Sequence, residues 1–244
     1  MRKTYLVYFL FTSFFSQAIA QDKQYFDAPF GGGGGFIPGW YIPNLDPLNE
    51  ELKTLGAPEL SSSGLFTTGG GGFIYLGIVQ NLRIGGLGFG GSKSEDGRIN
   101  LQGNIYDFET IYSLSGGGLT IEYTLPFVKN VGVSVGVLIG GGSVTIETFR
   151  NRGPFNWNDV WNESASTENI NRTFKNNFWI LAPTLNIDIP FYRFLSFRLG
   201  GGYQISLGDD WTVDNDRDIS GVPSELNGNS FFIQSGIFIG FFSY

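Results

Sequence analysis

Two long alternating segments, which meet at residues 129–130, constrain the fold of this chain more than any other feature. In both, large apolar side chains occupy every second position, as at Leu119 and Ile121, with mostly small or polar residues between them. This period of two is that of a β-strand. The segments, Asp107–Phe127 and Val131–Arg150, each span about twenty residues, whereas a usual strand has roughly 5–6. They predict a long hairpin with one apolar face.

Glycine clusters at residues 116–118 and 140–142 interrupt the two arms of this hairpin. Before the first cluster the apolar residues lie mainly at even positions, as at Tyr112, and after it they lie at odd positions. A one-residue change of phase is what a β-bulge produces, and glycine is common at bulges. We therefore predict one paired bulge across the hairpin. A third cluster, residues 200–202, shows no phase change and is expected to leave space for side chains packed inside.

The N-terminus has the pattern of a secretory signal peptide. Two basic residues precede an uncharged, mostly apolar run, Tyr5–Phe15, which is too short to span a membrane, and Ala18–Ala20 forms a small-residue cleavage site. We expect residues 1–20 to be removed, residues 21–63 to carry a first strand and a short helix, and residues 64–244 to form the main domain.

Composition narrows the class of protein. Without the signal peptide the chain keeps 13 of its 15 basic residues against 22 acidic ones, a net charge of −9, which makes a nucleic-acid partner unexpected. It has no cysteine, and export without disulfides suits a Gram-negative type of cell envelope. No later run approaches the ~20 apolar residues of a membrane helix, yet aromatic residues make up 16%. Together these features predict an all-β fold, an antiparallel up-and-down transmembrane β-barrel in the outer membrane.

Further alternating segments follow the same pattern, and the connections between them alternate between short and long. Outer-membrane barrels have short periplasmic turns and longer external loops. Seven strands are evident and a barrel of this kind needs an even number, so the glycine-rich residues 30–40 are the candidate for the eighth. The predicted strands are residues 30–40, 66–79, 82–91, 107–127, 131–150, 174–189, 194–207 and 230–244. The predicted long loops are residues 93–104, 151–172 and 208–229.

A short helix is predicted between the first two strands. Asp46 as N-cap, Pro47 at the first helical position and Gly56 at the end predict a helix over residues 46–55. Its apolar stripe consists of Leu48, Leu52 and Leu55. This helix either packs on the external loops, or caps or partly plugs the lumen against the glycine-rich walls.

The chain ends in FFIQSGIFIGFFSY, with aromatic residues at Phe238, Phe242 and Tyr244. This stretch resembles the C-terminal strand signature of bacterial outer-membrane barrel proteins, which ends in an aromatic residue and is read by the barrel-assembly machinery. As an architecture, the chain after the signal peptide resembles the broad class of small outer-membrane β-barrel proteins. The resemblance implies outer-membrane lipid and the assembly machinery as partners.

Four charged residues are predicted to face the lumen: Arg83, Glu122, Asp188 and Arg198. A buried charge without a partner is costly, so these residues are expected to pair. They either form a structural network that fills the interior or line a selective pore. The first alternative is favoured because the interior of an eight-stranded barrel is filled by side chains.

The sequence gives little support to an enzyme. Histidine is absent, which excludes a Ser-His-Asp triad and histidine metal ligation. A hydrolase with paired carboxylates stays open, but no pair stands out, and no cofactor is predicted. Loop aromatics within residues 151–172 suit either sugar or partner binding or the membrane–water boundary.

A calcium loop is the one metal site that the spacing suggests. Asp214, Asp216, Asp218 and Glu225 lie at positions 1, 3, 5 and 12 of the calcium-loop pattern, but Ile219 stands where glycine is needed. An acidic solvated loop explains the same residues. The function predicted overall is therefore a structural or surface-interaction barrel, with a narrow, porin-like pore or transporter for small or hydrophobic solutes as the alternative.

Overall fold

The structure, a computed structural model, describes residues 30–128, 131–153, 169–192 and 194–243, so the predicted signal peptide lies outside the described residues. It consists of strands and one short helix, α1. Among these residues, no helix is long and apolar enough to cross a membrane. The elements are β1 Phe30–Phe36, β2 Gly39–Pro43, α1 Asp46–Thr54, β3 Leu65–Tyr75, β4 Leu82–Leu101, β5 Asn104–Thr124, β6 Gly132–Asn151, β7 Ile170–Tyr192, β8 Leu195–Leu207, β9 Trp211–Val213, β10 Arg217–Asp218 and β11 Ser230–Ser243.

The strands close into an antiparallel up-and-down ring of eight. β1 and β2 are two halves of one strand that is interrupted at Pro38, because proline has no N–H to donate to a ladder. Both halves pair with β11 on one side and with β3 on the other, in one unbroken register. The predicted eighth strand, residues 30–40, is thus present and closes the barrel.

The register shows how strongly the strands are tilted. A line drawn perpendicular to the strands from Tyr75 on β3 passes through β4, β5, β6, β7, β8, β11 and β2, and returns to β3 at Leu65. The displacement is ten residues along one strand, so eight strands with this stagger tilt by about 40° from the barrel axis.

One part of the outer surface is a continuous apolar belt. On β7 it runs from Trp179 to Ile189, a rise of ten residue steps that covers about 25 Å along the axis at this tilt. This height equals the apolar band of outer-membrane barrels. Trp40 and Trp179 lie near one border of the belt, and the Trp40 indole N–H donates to the Ser63 carbonyl at 2.9 Å. The belt also contains the exposed side chains of Ile74, Ile84, Leu119, Ile121, Val135, Ile139, Leu185, Leu199, Ile233, Ile237 and Ile239.

Four strands continue past the belt at the end opposite the short turns. We call this part, residues 92–101, 104–115, 142–151 and 170–178 of β4 to β7, the extension; on β5 it adds about 25 Å. Residues 93–104, predicted to be a long loop, instead pair with β5 up to Leu101, and only Gln102 and Gly103 form the turn. Both turn residues have positive φ angles, 53° and 85°. The prediction was wrong because polar outward residues in this strand resemble a loop.

The predicted paired bulge is absent. β5 pairs with β4 and with β6 in one constant register through Gly116, Gly117 and Gly118. Even-numbered side chains of β5 therefore face inward along the whole strand. The phase change in the sequence marks a change of surroundings: apolar residues face outward in the belt and inward in the extension.

The connection of residues 44–64 packs beside the extension and carries α1. Lys93 on β4 donates hydrogen bonds to the carbonyls of Ser61 and Gly64, and a Cβ at Gly97 would lie 2.5 Å from the Pro58 ring. Burial lowers the pKa of Lys93. The contact residues lie beyond the belt, so this connection caps the barrel at its loop end.

The details of α1 differ from the sequence prediction. The N-cap is Leu45, not Asp46, and the Leu45 side chain makes no capping hydrogen bond. Leu48 and Leu52 are buried, whereas Leu55 lies past the last helical residue and is half exposed. The atoms nearest to the glycine-rich walls at residues 69–72 and 85–91 belong to the barrel strands, not to α1. The helix therefore belongs to the cap at the loop end and does not lie against these walls.

Candidate functional site

The four charged residues predicted to face the lumen lie together inside the belt, toward the end with the short turns. We call them, with their hydrogen-bond partners, the charge cluster. Arg83 comes from β4, Glu122 from β5, and Asp188 and Arg198 from β7 and β8, so the cluster joins strands on opposite sides of the barrel. All four side chains are buried, and Arg83 is 0% exposed.

Arg83 is the centre of the charge cluster. Its Nε donates to Glu122, its Nη1 lies 2.5 Å from Asp188 Oδ2, and its Nη2 donates to Ser134 Oγ at 2.5 Å. One guanidinium group thereby contacts both carboxylates and a hydroxyl from a third strand. Charge-assisted hydrogen bonds of this kind are the strong ones in proteins.

Arg198 completes the balance of charge. Its Nε donates to Asp188 Oδ1 at 2.6 Å and its Nη2 to Asp188 Oδ2 at 3.1 Å, which is a bidentate pair. Its Nη1 also lies 3.8 Å from Glu122 Oε1. Two arginines and two carboxylates leave the charge cluster without net charge, as a site of low dielectric requires.

Two phenylalanine rings cover the arginines. The Phe73 centroid lies 4.3 Å from Arg83 Cζ and 4.8 Å from Arg198 Cζ, and the Phe238 centroid lies 4.6 Å from Arg198 Cζ. These are cation–π distances. Phe238, one of the aromatic residues of the predicted C-terminal signature, thus faces the interior, while Phe241 is exposed in the belt.

A second layer of rings lies nearer the loop end. The Tyr41 ring stacks between Phe89, at 4.6 Å, and Phe232, at 4.9 Å, with interplanar angles of 18° and 14°. All three side chains are buried. A Cβ at Gly202 would lie 2.9 Å from the Phe232 ring, which agrees with the prediction that residues 200–202 leave space for interior side chains.

The interior is therefore not lined by small and polar residues alone. The charge cluster is polar, but it is enclosed by large rings, because arginine guanidinium groups stack well on aromatic faces. The strand pattern shows which side chains face inward. It does not show that Phe73, Phe89 and Phe232 fill the space left by inward glycines.

Sequence reasoning also missed the neutral members of the charge cluster. Asn186 Nδ2 donates to Glu122 Oε1 at 2.8 Å, and Gln234 Nε2 donates to Asn186 Oδ1 at 3.1 Å. Gly136 leaves room for Glu122, whose Cγ would be 2.6 Å from a Cβ at that position. The sequence could have indicated these residues, because Asn186 lies two positions before Asp188 on β7 and therefore shares its inward face.

The calcium-loop spacing does not produce a metal site. Within the described part of the chain, no three acidic residues come close enough to hold a metal ion. Asp214 instead accepts a hydrogen bond from Arg172 at 3.0 Å and another from the Thr173 N–H at 3.2 Å. The aromatic residues of the loop at 151–172, Phe155, Trp157 and Trp161, lie outside the described residues.

No protein-family model matches the chain, and no curated protein sequence is significantly similar to it. Among solved structures, it is similar to the attachment invasion locus protein Ail of Yersinia pestis, in complex with the heparin analogue sucrose octasulfate, at 9% identity and a TM-score of 0.41, covering 88% of this chain and 100% of that one. It is similar to a major outer membrane protein from Thermus thermophilus at 11% identity and a TM-score of 0.46, covering 86% of this chain and 99% of that one. It is similar to Acinetobacter baumannii CarO at 10% identity and a TM-score of 0.33, covering 86% of this chain and 97% of that one. Similarities this low carry no argument about a role.

Proposed function

We propose that this chain is an integral outer-membrane β-barrel protein with a closed interior and a non-enzymatic, structural or surface-interaction role. The apolar belt supports the membrane assignment, because its height of about 25 Å matches the apolar band of such barrels. The large apolar side chains of the belt would face water in a soluble protein, where apolar patches of this size are rare. Lipid is the partner that covers the whole belt.

The burial of Arg83 is the observation that best supports a closed interior. A side chain that is 0% exposed in the middle of an eight-stranded barrel has no water-filled passage beside it. The stacked rings of Tyr41, Phe89 and Phe232 form a second closed layer. The connection of residues 44–64 adds a cap beyond the belt.

The same geometry argues against acid–base chemistry in the interior. Glu122 and Asp188 each accept hydrogen bonds from arginine, and neither faces a cleft open to a substrate. The external surface remains as the place where the protein can meet partners. Export by the predicted signal peptide, and insertion by the barrel-assembly machinery through the C-terminal strand, belong to the same proposal.

Single-channel recording in planar lipid bilayers tests the proposal. Purified protein is expected to insert without stable, discrete current steps, because the charge cluster and the ring stack occlude the interior. A mock preparation from cells lacking the gene controls for contaminating porins. Reproducible steps above this control would contradict the closed interior and favour the alternative, a narrow pore or transporter for small or hydrophobic solutes.

A further inference from the structure

The inner face of the extension contains polar groups that have no hydrogen-bond partner within the described part of the chain. Tyr112 on β5 is 1% exposed and Asn176 on β7 is 0% exposed. Neither the Tyr112 hydroxyl nor either polar atom of the Asn176 amide has a hydrogen-bond partner among the described residues. Thr110, two residues from Tyr112 on the same face, is also buried with an unpartnered hydroxyl. Burial raises the pKa of Tyr112, so its hydroxyl stays protonated.

These groups share one concave surface. Asn176 lies in register with Val144 on β6, which lies in register with Leu114 on β5, two residues from Tyr112. Neighbouring strands are about 4.8 Å apart, so the backbones of β5 and β7 are separated by about 10 Å at this level. Both side chains stand on the inward side of the sheet, because residues in register on neighbouring strands share a face.

The energetic cost of leaving these groups unpaired is too large to neglect. A buried polar group without a partner costs about 1–3 kcal/mol, and the Asn176 amide alone can donate two hydrogen bonds and accept two. Leu114, Val144 and Phe178 are buried nearby, and Lys93 and Glu95 on β4 lie in register with Tyr112 and Thr110, but neither pairs with the two hydroxyl groups. Buried polar groups of this kind are usually paired through ordered water, each molecule making about three hydrogen bonds.

We infer that the extension encloses a hydration site in which ordered water bridges the Tyr112 hydroxyl to the Asn176 amide. The site takes small neutral molecules that both donate and accept hydrogen bonds, and water is its occupant. It gives the external part of the barrel a polar anchor that fixes β5 against β7. The inference does not depend on the proposed function, because it concerns packing above the belt.

A double-mutant cycle tests the bridge. The variants Tyr112→Phe, Asn176→Leu and their combination remove the polar groups with little change of volume, and Asn177→Leu is the control on the exposed face of the same strand. Each inner substitution is expected to lower the equilibrium constant for folding, measured by urea titration in detergent micelles, by about ten-fold. The fold-decrease of the folding constant in the double variant should be at least five-fold smaller than the product of the two single decreases. The reason is that either substitution alone already removes the shared bridge.

Two outcomes would overturn the inference. If the site is dry, replacing its polar groups by apolar ones of similar shape stabilises the protein, so the folding constant would rise in both single variants. If the losses multiply without coupling, the two groups are not bridged. A crystal structure of the wild-type protein gives an independent reading that does not require folded variants: it should show ordered water within hydrogen-bond distance of both side chains. A direct bond between Tyr112 and Asn176 would contradict it.

Discussion

The belt and the extension are built from the same strands, yet their outer faces have opposite chemistry, and only the belt encloses a cluster of paired charges. On β5 the outward residues of the belt are Leu119 and Ile121, whereas the outward residues of the extension include Asp107 and Ser115. Inward, the belt holds Glu122, and the extension holds an apolar face of Tyr106, Phe108, Tyr112 and Leu114. The alternation in a strand therefore shows which residues share a face, but it does not show whether lipid, water or protein covers that face. The solvent decides which face must be apolar, and it changes near Gly117.

The cost of removing an inward charge from the belt should be the largest effect. Arg83→Met leaves Glu122 and Asp188 with less compensation in a buried site, and we expect it to lower the free energy of unfolding by about 3–5 kcal/mol. Its counterpart in the extension is Arg98→Met, which breaks an exposed pair with Asp107 at 3.3 Å and should cost at most about 1 kcal/mol. Urea titration in micelles measures both. Equal small losses would show that the cluster is hydrated.

The second largest effect on the free energy of unfolding is expected for an inward apolar residue of the extension. Leu114→Ala removes a fully buried side chain and is expected to cost about 2–5 kcal/mol, as in the core of a soluble protein. The control is the outward neighbour, Ser113→Ala, which should change the free energy of unfolding by less than about 0.5 kcal/mol. If Leu114→Ala were as mild as its control, the inner face of the extension would not be a packed core.

A charge on the outer face sharpens the contrast between the two regions. Ile121→Arg places a cation in the belt and should cost about 2–4 kcal/mol in a lipid bilayer. Ser113→Arg puts the same side chain on the same face of the same strand in the extension, where it should cost about 0.5 kcal/mol or less. Unfolding in lipid vesicles compares the two variants. Similar values for both would remove the distinction between a lipid-facing and a water-facing segment.

The sequence predicted the barrel well because its evidence is local. Alternation marks seven of the eight strands, connection lengths supply the parity, and the residue pattern placed Arg83, Glu122, Asp188 and Arg198 on inward faces. The structure brings these four side chains into contact. Glycine in residues 30–36 hides the alternation of β1, so that strand was identified by counting alone.

The failed predictions have one physical cause. A residue pattern does not show whether lipid, water or distant side chains surround a strand. The phase change at Gly116 was interpreted as a bulge because the sequence cannot show where lipid ends and water begins. Residues 93–101 were taken for a loop because their outward side chains are polar. Tyr41, Phe89 and Phe232 come from three distant segments, so their stack depends on barrel closure and shear.

Cysteine accessibility along β5 tests the central claim most directly, because the chain has no native cysteine. Single cysteines at Asp107, Ser115, Leu119 and Ile121 would be treated with a water-soluble maleimide in intact cells and in lipid vesicles. We expect rapid labelling at Asp107→Cys and Ser115→Cys and protection at Leu119→Cys and Ile121→Cys, with the boundary at Gly117. Equal labelling at all four positions, or protection at Asp107→Cys and Ser115→Cys, would contradict a strand that leaves the membrane at that residue.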